Sequence, residues 1–556
     1  MLLLSALLSA CGPEGKGGVL PGEPAAVPGY VDRTDASGIE FVHDAGRTPE
    51  KHLPETMGHG AALVDVDADG DLDLYLVQGG RLVRAGGPRT EPCNRLYANR
   101  GDGTFVDETE RSGAAADRGY GMGVAAGDVN ADGTVDLFVT NFGPDALFLG
   151  DGTGRFRDGT GAVLADERWN TGAALFDAEL DGDLDLYVAA YVEIDLEHPV
   201  WCGRREPGWR TVCHPDRFPG LQDRFYRNEG DGAFVEATAT AGLEDSWGKG
   251  LGVIATDLDG DGFPELYVAN DSVENRLWHN DGHGRFVDET LLSGTGVNGH
   301  GVTEAGMGFA SGDLDGDGDF ELYVTNFDNE SHTLYVNEGG LLFHDGTASA
   351  GLEAPTRLPV GFGTLMSDVD DDGDLDLFVA NGHIVDLIHL YHDGQTWAQR
   401  AQLFQNDGTG RFRDVTELAG DLSATPRVGR GLVAGDLDGD GDLDLVATEC
   451  GGRTRILVDP GAGGRALLVS GVPRGARLVA TRADGVRLVR EAGPDPSYLC
   501  QGDPRVYLGL GDPDGRVVSL TLEWGGARLP IALPGPLGPG RVVLEPSSSS
   551  WRIEMP

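Results

Sequence analysis

Short apolar stretches and acidic loops alternate along this chain with a long period. Seven times, an apolar run opened by Gly-x-Gly or Thr-Gly (GHGAALV, GMGVAAG, TGAALF, GLGVIAT, GMGFASG, GFGTLMS, GRGLVAG) leads into an acidic loop. A second apolar run follows each loop: LDLYLV, VDLFVT, LDLYVA, PELYVA, FELYVT, LDLFVA, LDLVAT. Runs this short, bounded by glycine and aspartate, read as strands rather than helices. Six units then carry a further hairpin, as in RLYANRGDGTFVDET (95–109) and RLWHNDGHGRFVDET (276–290), with Asn/Asp-Gly turn signals. Each unit therefore predicts four short antiparallel strands, and successive loops start 49 to 80 residues apart. Repeats of that period predict an all-β chain built on a seven-bladed β-propeller.

The seventh unit is short by one strand. After its loop comes a third strand (RILV, 455–458) with no matching fourth, whereas GYVDRTDASG (29–38) resembles the FVDETERSG that ends the first unit. The expectation is that the N-terminal strand completes the last blade, closing the ring and protecting its edges. Residues 191–223 form an insertion between the second and third strands of the third blade. Within it Cys202 and Cys213 flank a Gly/Pro turn segment, CGRREPGWRTVC, and are the best candidate disulfide; Cys450 and Cys500 are a second candidate pair, joining the last blade to the tail.

Charge changes the picture next. The chain carries 91 Asp plus Glu against 42 Lys plus Arg, a net charge of −49, which sets nucleic acid and anionic lipid surfaces aside as partners. Much of this acid is local, since the seven loops hold 33 of the 91 acids. The N-terminus, MLLLSALLSAC, is too short to span a bilayer and reads as a signal-peptide core. Leu8-Ser9-Ala10-Cys11 resembles a bacterial lipobox, which makes Cys11 the lipidated N-terminus of the processed chain. Residues 12–28 are a Gly/Pro tether. The expectation is an exported lipoprotein anchored at the outer membrane through lipid alone, facing periplasm or medium.

The loop spacing D-x-D-x-D-G-x-x-D is ligand chemistry for a hard cation. Side chains at positions 1, 3 and 5 converge, glycine at 6 permits the turn, and a carboxylate at 9 can close the shell. Dense oxygen ligands favour Ca²⁺ over Mg²⁺. Loop 1 offers Asp65, Asp67, Asp69 and Asp73; loop 2 offers Asp128, Asn130, Asp132 and Asp136; loop 3 offers Asp177, Glu179, Asp181 and Asp185. Loop 4 offers Asp257, Asp259, Asp261 and Glu265, and loop 5 offers Asp313, Asp315, Asp317 and Glu321. Loop 6 offers Asp368, Asp370, Asp372 and Asp376, and loop 7 offers Asp436, Asp438, Asp440 and Asp444. An EF-hand is excluded, because no Glu stands at position 12 and a strand follows the loop. Loop 2, with Asn130 and Thr134, and loop 3, with Glu179 and Leu180, depart most from the pattern. Up to seven calcium ions are expected, which would bring the net charge from −49 to about −35.

These repeats resemble FG-GAP/VCBS repeats, the calcium-loop blades of integrin α-chain propellers, and the chain as a whole resembles the cartilage-acidic-protein group of extracellular proteins. The stretches LPETMGHGAALVDVDADGDLDLYLV, EAGMGFASGDLDGDGDFELYVTNF and GFGTLMSDVDDDGDLDLFVANGH carry the likeness. The tail, GARLVATRADGVRLVREAGPDPSYLCQGDPRVYLGLG (475–511) and VVSLTLEW (517–524), resembles the ASPIC/UnbV domain. It departs at Cys500, where a serine is usual, and at Trp524-Gly525-Gly526, where Trp-Pro-Ser-Gly is usual. The organisation this implies is a signal peptide (1–10), a lipidated cysteine and tether (11–28), a propeller (29–460), a small β-sandwich-like ASPIC/UnbV domain (465–546) and an end segment (547–556).

Catalytic motifs are not found: no HExxH, GxSxG elbow, Walker loop or CxxC. His52, His59, His300 and His383 lie in or next to inner-strand segments, and a propeller's inner strands line its axis. Two readings follow. The first is a non-enzymatic, calcium-rigidified binding or adhesion module taking a protein or glycan ligand at the cell envelope. The alternative is a calcium-dependent enzyme, for example a polysaccharide-active one, with its site at the propeller axis.

Overall fold

The computed structural model describes residues 27, 29–82, 93–115, 118–165, 167–461, 464–493, 496–546 and 551–554. The signal segment and Cys11 lie outside them. Among the described residues the acidic loops each join two strands of a four-stranded antiparallel pattern, and there are seven such sheets. In the fourth, Gly250–Thr256, Glu265–Asn270, Arg276–Asn280 and Phe286–Asp288 pair in sequence order. The first strand of each sheet packs on the first strand of the next, and the contact between Ala61–Val64 and Gly429–Gly435 closes the ring. Val31–Asp32 pairs antiparallel with Arg455–Val458, so the N-terminal strand is the fourth strand of the last blade. Tyr30 anchors it, buried between the sixth and seventh blades with its hydroxyl donating to Leu443 O at 3.2 Å.

The blades are apolar on both faces because each lies between two others; Leu186, Tyr187, Leu266, Tyr267, Leu322 and Tyr323 are fully buried. The acidic loops and the turns between third and fourth strands lie on one face of the ring, the loop face. The connections between second and third strands lie on the other. The insertion after Asp185–Ala190 contains a two-residue hairpin, Cys202–Gly203 with Arg210–Thr211, and the Cys202–Cys213 disulfide closes it. It crosses this second face as a strap and reaches blade six. There Tyr391 donates to Trp209 O at 2.9 Å, and the two rings meet edge to face at 5.8 Å.

After the propeller come two four-stranded sheets packed into a sandwich over a core of Leu467, Leu478, Leu508, Leu520 and Leu522. The sandwich continues past residue 546, since Trp551–Glu554 pairs with its neighbour Gly540–Pro546; part of the end segment is therefore a strand of this domain. The tail is not a bead beside the propeller. Between its strands the chain leaves the sandwich as a hairpin, Pro496–Ser497 with Cys500–Gln501, and enters the ring from the loop face. Gln501 pairs in parallel with Ala62 of the first inner strand, and its side-chain amide brackets Ala126, accepting at 2.7 Å and donating at 3.0 Å. Leu499 O accepts from Val124 N, and Ser497 Oγ accepts from Thr364 N. Glycine at 60 is required here, because a Cβ would collide with the Leu499 carbonyl.

The axis is therefore filled. Tyr498 and Leu499 join Leu53, Met57, Met122, Trp169, Leu251, Met307 and Phe362 in one buried apolar cluster, roofed on the opposite face by Val192 and Val212 of the strap. Arg430 is buried beside it without a carboxylate. It donates to the carbonyls of Thr56, Gly382 and Gly429 and stacks on Phe362 at 3.9 Å. Two expectations fall with this packing. An open axial channel lined by histidines is absent among the described residues: His52 is half-buried ahead of the turn Leu53–Thr56, His59 is buried against His43 and Phe41, His383 against Phe327, and His300 is exposed. Cys450 and Cys500 are separate buried thiols, Cys450 donating to Glu55 O and Cys500 accepting from Ala61 N, so no disulfide joins tail to blade.

Candidate metal centres

Each loop is turned by two left-handed residues, at positions 4 and 6. Position 6 is glycine throughout, from Gly70 (φ +94°) to Gly441 (φ +96°). Position 4 is glycine in loops 4, 5 and 7 but Ala68, Ala131, Leu180 and Asp371 in the others, each with φ between 55° and 60°. The double reversal points the position-1 carboxylate back into the loop, where it accepts N–H bonds from position 6 in loop 1 (Asp65 from Gly70 N, 3.0 Å) or position 4 in loop 4 (Asp257 from Gly260 N, 2.8 Å). Position-5 carboxylates accept the N–H two residues on, as Asp69 does from Asp71 N, and position 3 does the same in loop 4, where Asp259 accepts from Asp261 N. Side chains that hold their own backbone in this way leave their remaining lone pairs facing one another.

Among the described residues the outcome includes carboxylate clusters whose oxygens lie within 4.8 Å of one another, such as Asp65/Asp67/Asp73, Asp257/Asp259/Asp261, Asp313/Asp315/Glu321 and Asp368/Asp370/Asp372. Two buried oxygens in them, Asp67 Oδ1 and Asp368 Oδ1, meet no donor. A hard cation fits such a donor set: anionic oxygens without N–H partners need a positive charge or a proton. Burial raises the position-9 carboxyls above the ordinary range, Asp73 to about 7, Glu265 to about 7, Asp185 to about 8, Glu321 to about 8 and Asp444 to about 9. Without a cation, these groups retain protons near neutrality.

Position 9 does more than face the cluster. Asp73 accepts Val66 N with one oxygen and Asn99 N with the other, bracing loop against third strand, and the same pair of bonds recurs at Asp136, Asp185, Glu265, Glu321, Asp376 and Asp444. The third strand supplies a second device that loop spacing does not reveal. Asn228, Asn280, Asn337 and Asn406 each donate to the carbonyl of position 2 in the preceding blade's loop: Val129, Ala178, Leu258 and Leu314. Asn99 does the same to Leu437, across the seam where the ring closes. The sequence signal is the asparagine that ends five third strands, in YAN, YRN, WHN, YVN and FQN.

The tail domain sits on the loop face with its arginines toward the acids. Arg541 pairs with Asp436 at 2.7 Å, Arg465 with Asp371 at 3.4 Å and Arg477 with Asp257 at 3.5 Å; Arg482 and Arg490 donate to the carbonyls of Asp372 and Gly373. Gly509 approaches so close to Asp368 that any Cβ would strike the carboxylate. This docking was legible as a charge contrast, for residues 465–546 carry ten arginines against eight acids in a chain of net −49. A cavity of about 150 Å³ remains between tail and inner strands, below the range of ligand pockets. Open concavities lie on the strap face instead, including a groove of about 790 Å³ bordered by Gln395, Arg400, Arg413 and Glu417.

Comparison with known proteins agrees with the repeat. The FG-GAP-like repeat model matches residues 65–139, 128–188, 220–268, 257–324 and 368–447, together more than half of the chain. Cartilage acidic protein 1 of Xenopus tropicalis is 25% identical over 518 residues, covering 85% of this chain and 71% of the relative. The Homo sapiens protein of that name is 24% identical over 525 residues, covering 89% and 66%. Among solved structures, an Agrocybe aegerita lectin that recognises non-reducing terminal N-acetylglucosamine overlaps with a TM-score of 0.41 at 16% identity, covering 71% of this chain and 86% of that one. A Bacillus licheniformis rhamnogalacturonan lyase gives 0.38 at 14% identity, covering 77% and 75%.

Proposed function

Since the chain belongs to the family of FG-GAP-like repeats and its axis is packed shut, we propose that it is an exported, calcium-rigidified binding or adhesion module whose ligand meets the strap face. The observation that carries this reading is the disposition of surfaces. The tail covers the loop face and plugs the axis, leaving the strap face as the broad exposed end of the ring. That face carries Trp201 and Trp247, 40% and 77% exposed, with Arg210 stacked over Trp201 at 4.9 Å and Arg204 over Trp209 at 4.4 Å. Exposed aromatics on this face, Trp201 among them held by the disulfide-closed strap, suit a protein or glycan partner, since anchors fixed in advance lose little entropy on binding. An enzyme working on a polysaccharide at the axis would need an open channel there.

Calcium is the proposed cofactor, held by the loop carboxylates; when bound it supplies the positive charge that lets clustered acids ionise. The anchor is Cys11, lipidated at the outer membrane. Glycan arrays and pull-downs with the purified protein, repeated for Trp201→Ala, Trp247→Ala and the tail-surface variant Arg528→Ala, test the assignment. The strap-face variants lose the ligand and the tail variant keeps it; the opposite pattern overturns the proposal. Cys11→Ser releases the protein from the outer-membrane fraction, and a cytoplasmic wild type refutes export.

A further inference from the structure

In three blades the side chain just before the latch asparagine of the third strand reaches back to position 3 of its own loop. In blade six Gln405 donates to Asp370, and in blade four His279 lies 3.5 Å from Asp259. Blade five places Val336 at that register, and blade one Ala98. Blade three places Arg227. Its Nε lies 3.0 Å from Glu179 Oε1, and its Nη2 donates to Gly284 O, on the turn of blade four, at 2.9 Å. The crevice is so fully taken that a Cβ at Gly284 would strike both the Glu179 carboxylate and the Arg227 guanidinium. Two further features set loop 3 apart. Glu179 is one methylene longer than the aspartate or, in loop 2, the asparagine of its counterparts, and Leu180 holds a left-handed position (φ 55°) with its side chain against Gly525 of the tail.

We infer that loop 3 takes no calcium, because Arg227, seated on Glu179, is the resident cation of that loop. Seated on Glu179, the guanidinium claims the position-3 ligand that a divalent ion would need, whereas the tail arginines Arg541 and Arg477 approach loops 7 and 4 at position 1. One blade of the ring is thereby held by a charge that cannot be chelated away. This rests on the calcium reading of the other loops, and the experiment separates the two.

Bound calcium is counted by equilibrium dialysis and atomic absorption for wild type, Glu179→Gln, Asp259→Asn and Arg227→Gln, the last borrowing the side chain of blade six. Each variant is also melted in chelator. Asp259→Asn loses one ion and Glu179→Gln loses none. Arg227→Gln gains one ion, melts lower than wild type in chelator, and recovers with added calcium. Loss of an ion in Glu179→Gln overturns the inference, as does an Arg227→Gln protein with unchanged count and unchanged melting in chelator. A wild type that binds no calcium defeats the calcium reading, while melting of Arg227→Gln in chelator still decides whether Arg227 holds the loop.

Discussion

Tyr498→Ala removes the centre of the axial plug. The ring is fully buried, lies 4.9 Å from Phe362 in an edge-to-face contact, and packs within the cluster that also holds Met57, Trp169 and Met307. Its hydroxyl has no hydrogen-bond partner among the described residues, so its removal breaks no bond and the cost is that of the ring. Large-to-small aromatic substitutions at such sites cost about 3–5 kcal/mol, because transfer and cavity terms add. The loss falls on two units at once, since the plug is tail sequence seated between inner strands. Urea unfolding followed by tryptophan fluorescence reads the stability, with Trp169 reporting from the axis, and limited proteolysis reads whether the tail detaches. The expected result is a transition lowered by about 3–5 kcal/mol and faster cleavage between propeller and sandwich. A variant within 1 kcal/mol of wild type, with an unchanged digestion pattern, refutes the filled axis.

Other outcomes follow from the same geometry. The position-9 carboxyls are raised in the folded state, to about 7 for Asp73 and about 9 for Asp444, so the folded protein keeps protons that the unfolded chain has already lost. Their contribution is present below the ordinary carboxyl range and is lost as pH rises through the raised values. Metal-free protein therefore unfolds more easily at pH 8 than at pH 5, and saturating calcium removes that slope; denaturation midpoints at the two pH values check it. Asn406→Ala unties Leu314 O and Leu375 O, buried bonds of 2.8 and 3.1 Å, at a net cost of about 1–3 kcal/mol, read by the same unfolding assay. Truncation through residue 36 removes Tyr30 and the closing strand and gives aggregation by light scattering, whereas truncation that stops before Val27, which packs on the same cluster, leaves melting unchanged.

The ring was legible in the sequence because its signals are local and repeated. The alternation of apolar runs, the glycine at position 6 and the unpaired RILV strand each predicted an element that stands where it was expected. The disulfide that closes the third blade's insertion was legible from Cys202 and Cys213. What the sequence hid are contacts between segments far apart in the chain. SYLC reads as an ordinary apolar stretch of the tail, and only three-dimensional packing places Tyr498 and Leu499 in the axis, which also explains why Cys500 and Cys450 do not meet. Arg227 reads as a variable strand residue, since nothing in loop 3 itself announces a partner from the third strand. The latch asparagines lie between these cases: their recurrence is visible, but the carbonyl each one reaches belongs to the preceding blade.

Thermal melting in excess chelator, with calcium or magnesium added back, tests the central claim most directly. Ions bound only by the folded form stabilise it by mass action, about 2.7 kcal/mol per site at 100 times Kd. The account predicts a sharp fall of Tm on chelation and recovery with Ca²⁺ well beyond that with Mg²⁺. A Tm indifferent to chelator contradicts it.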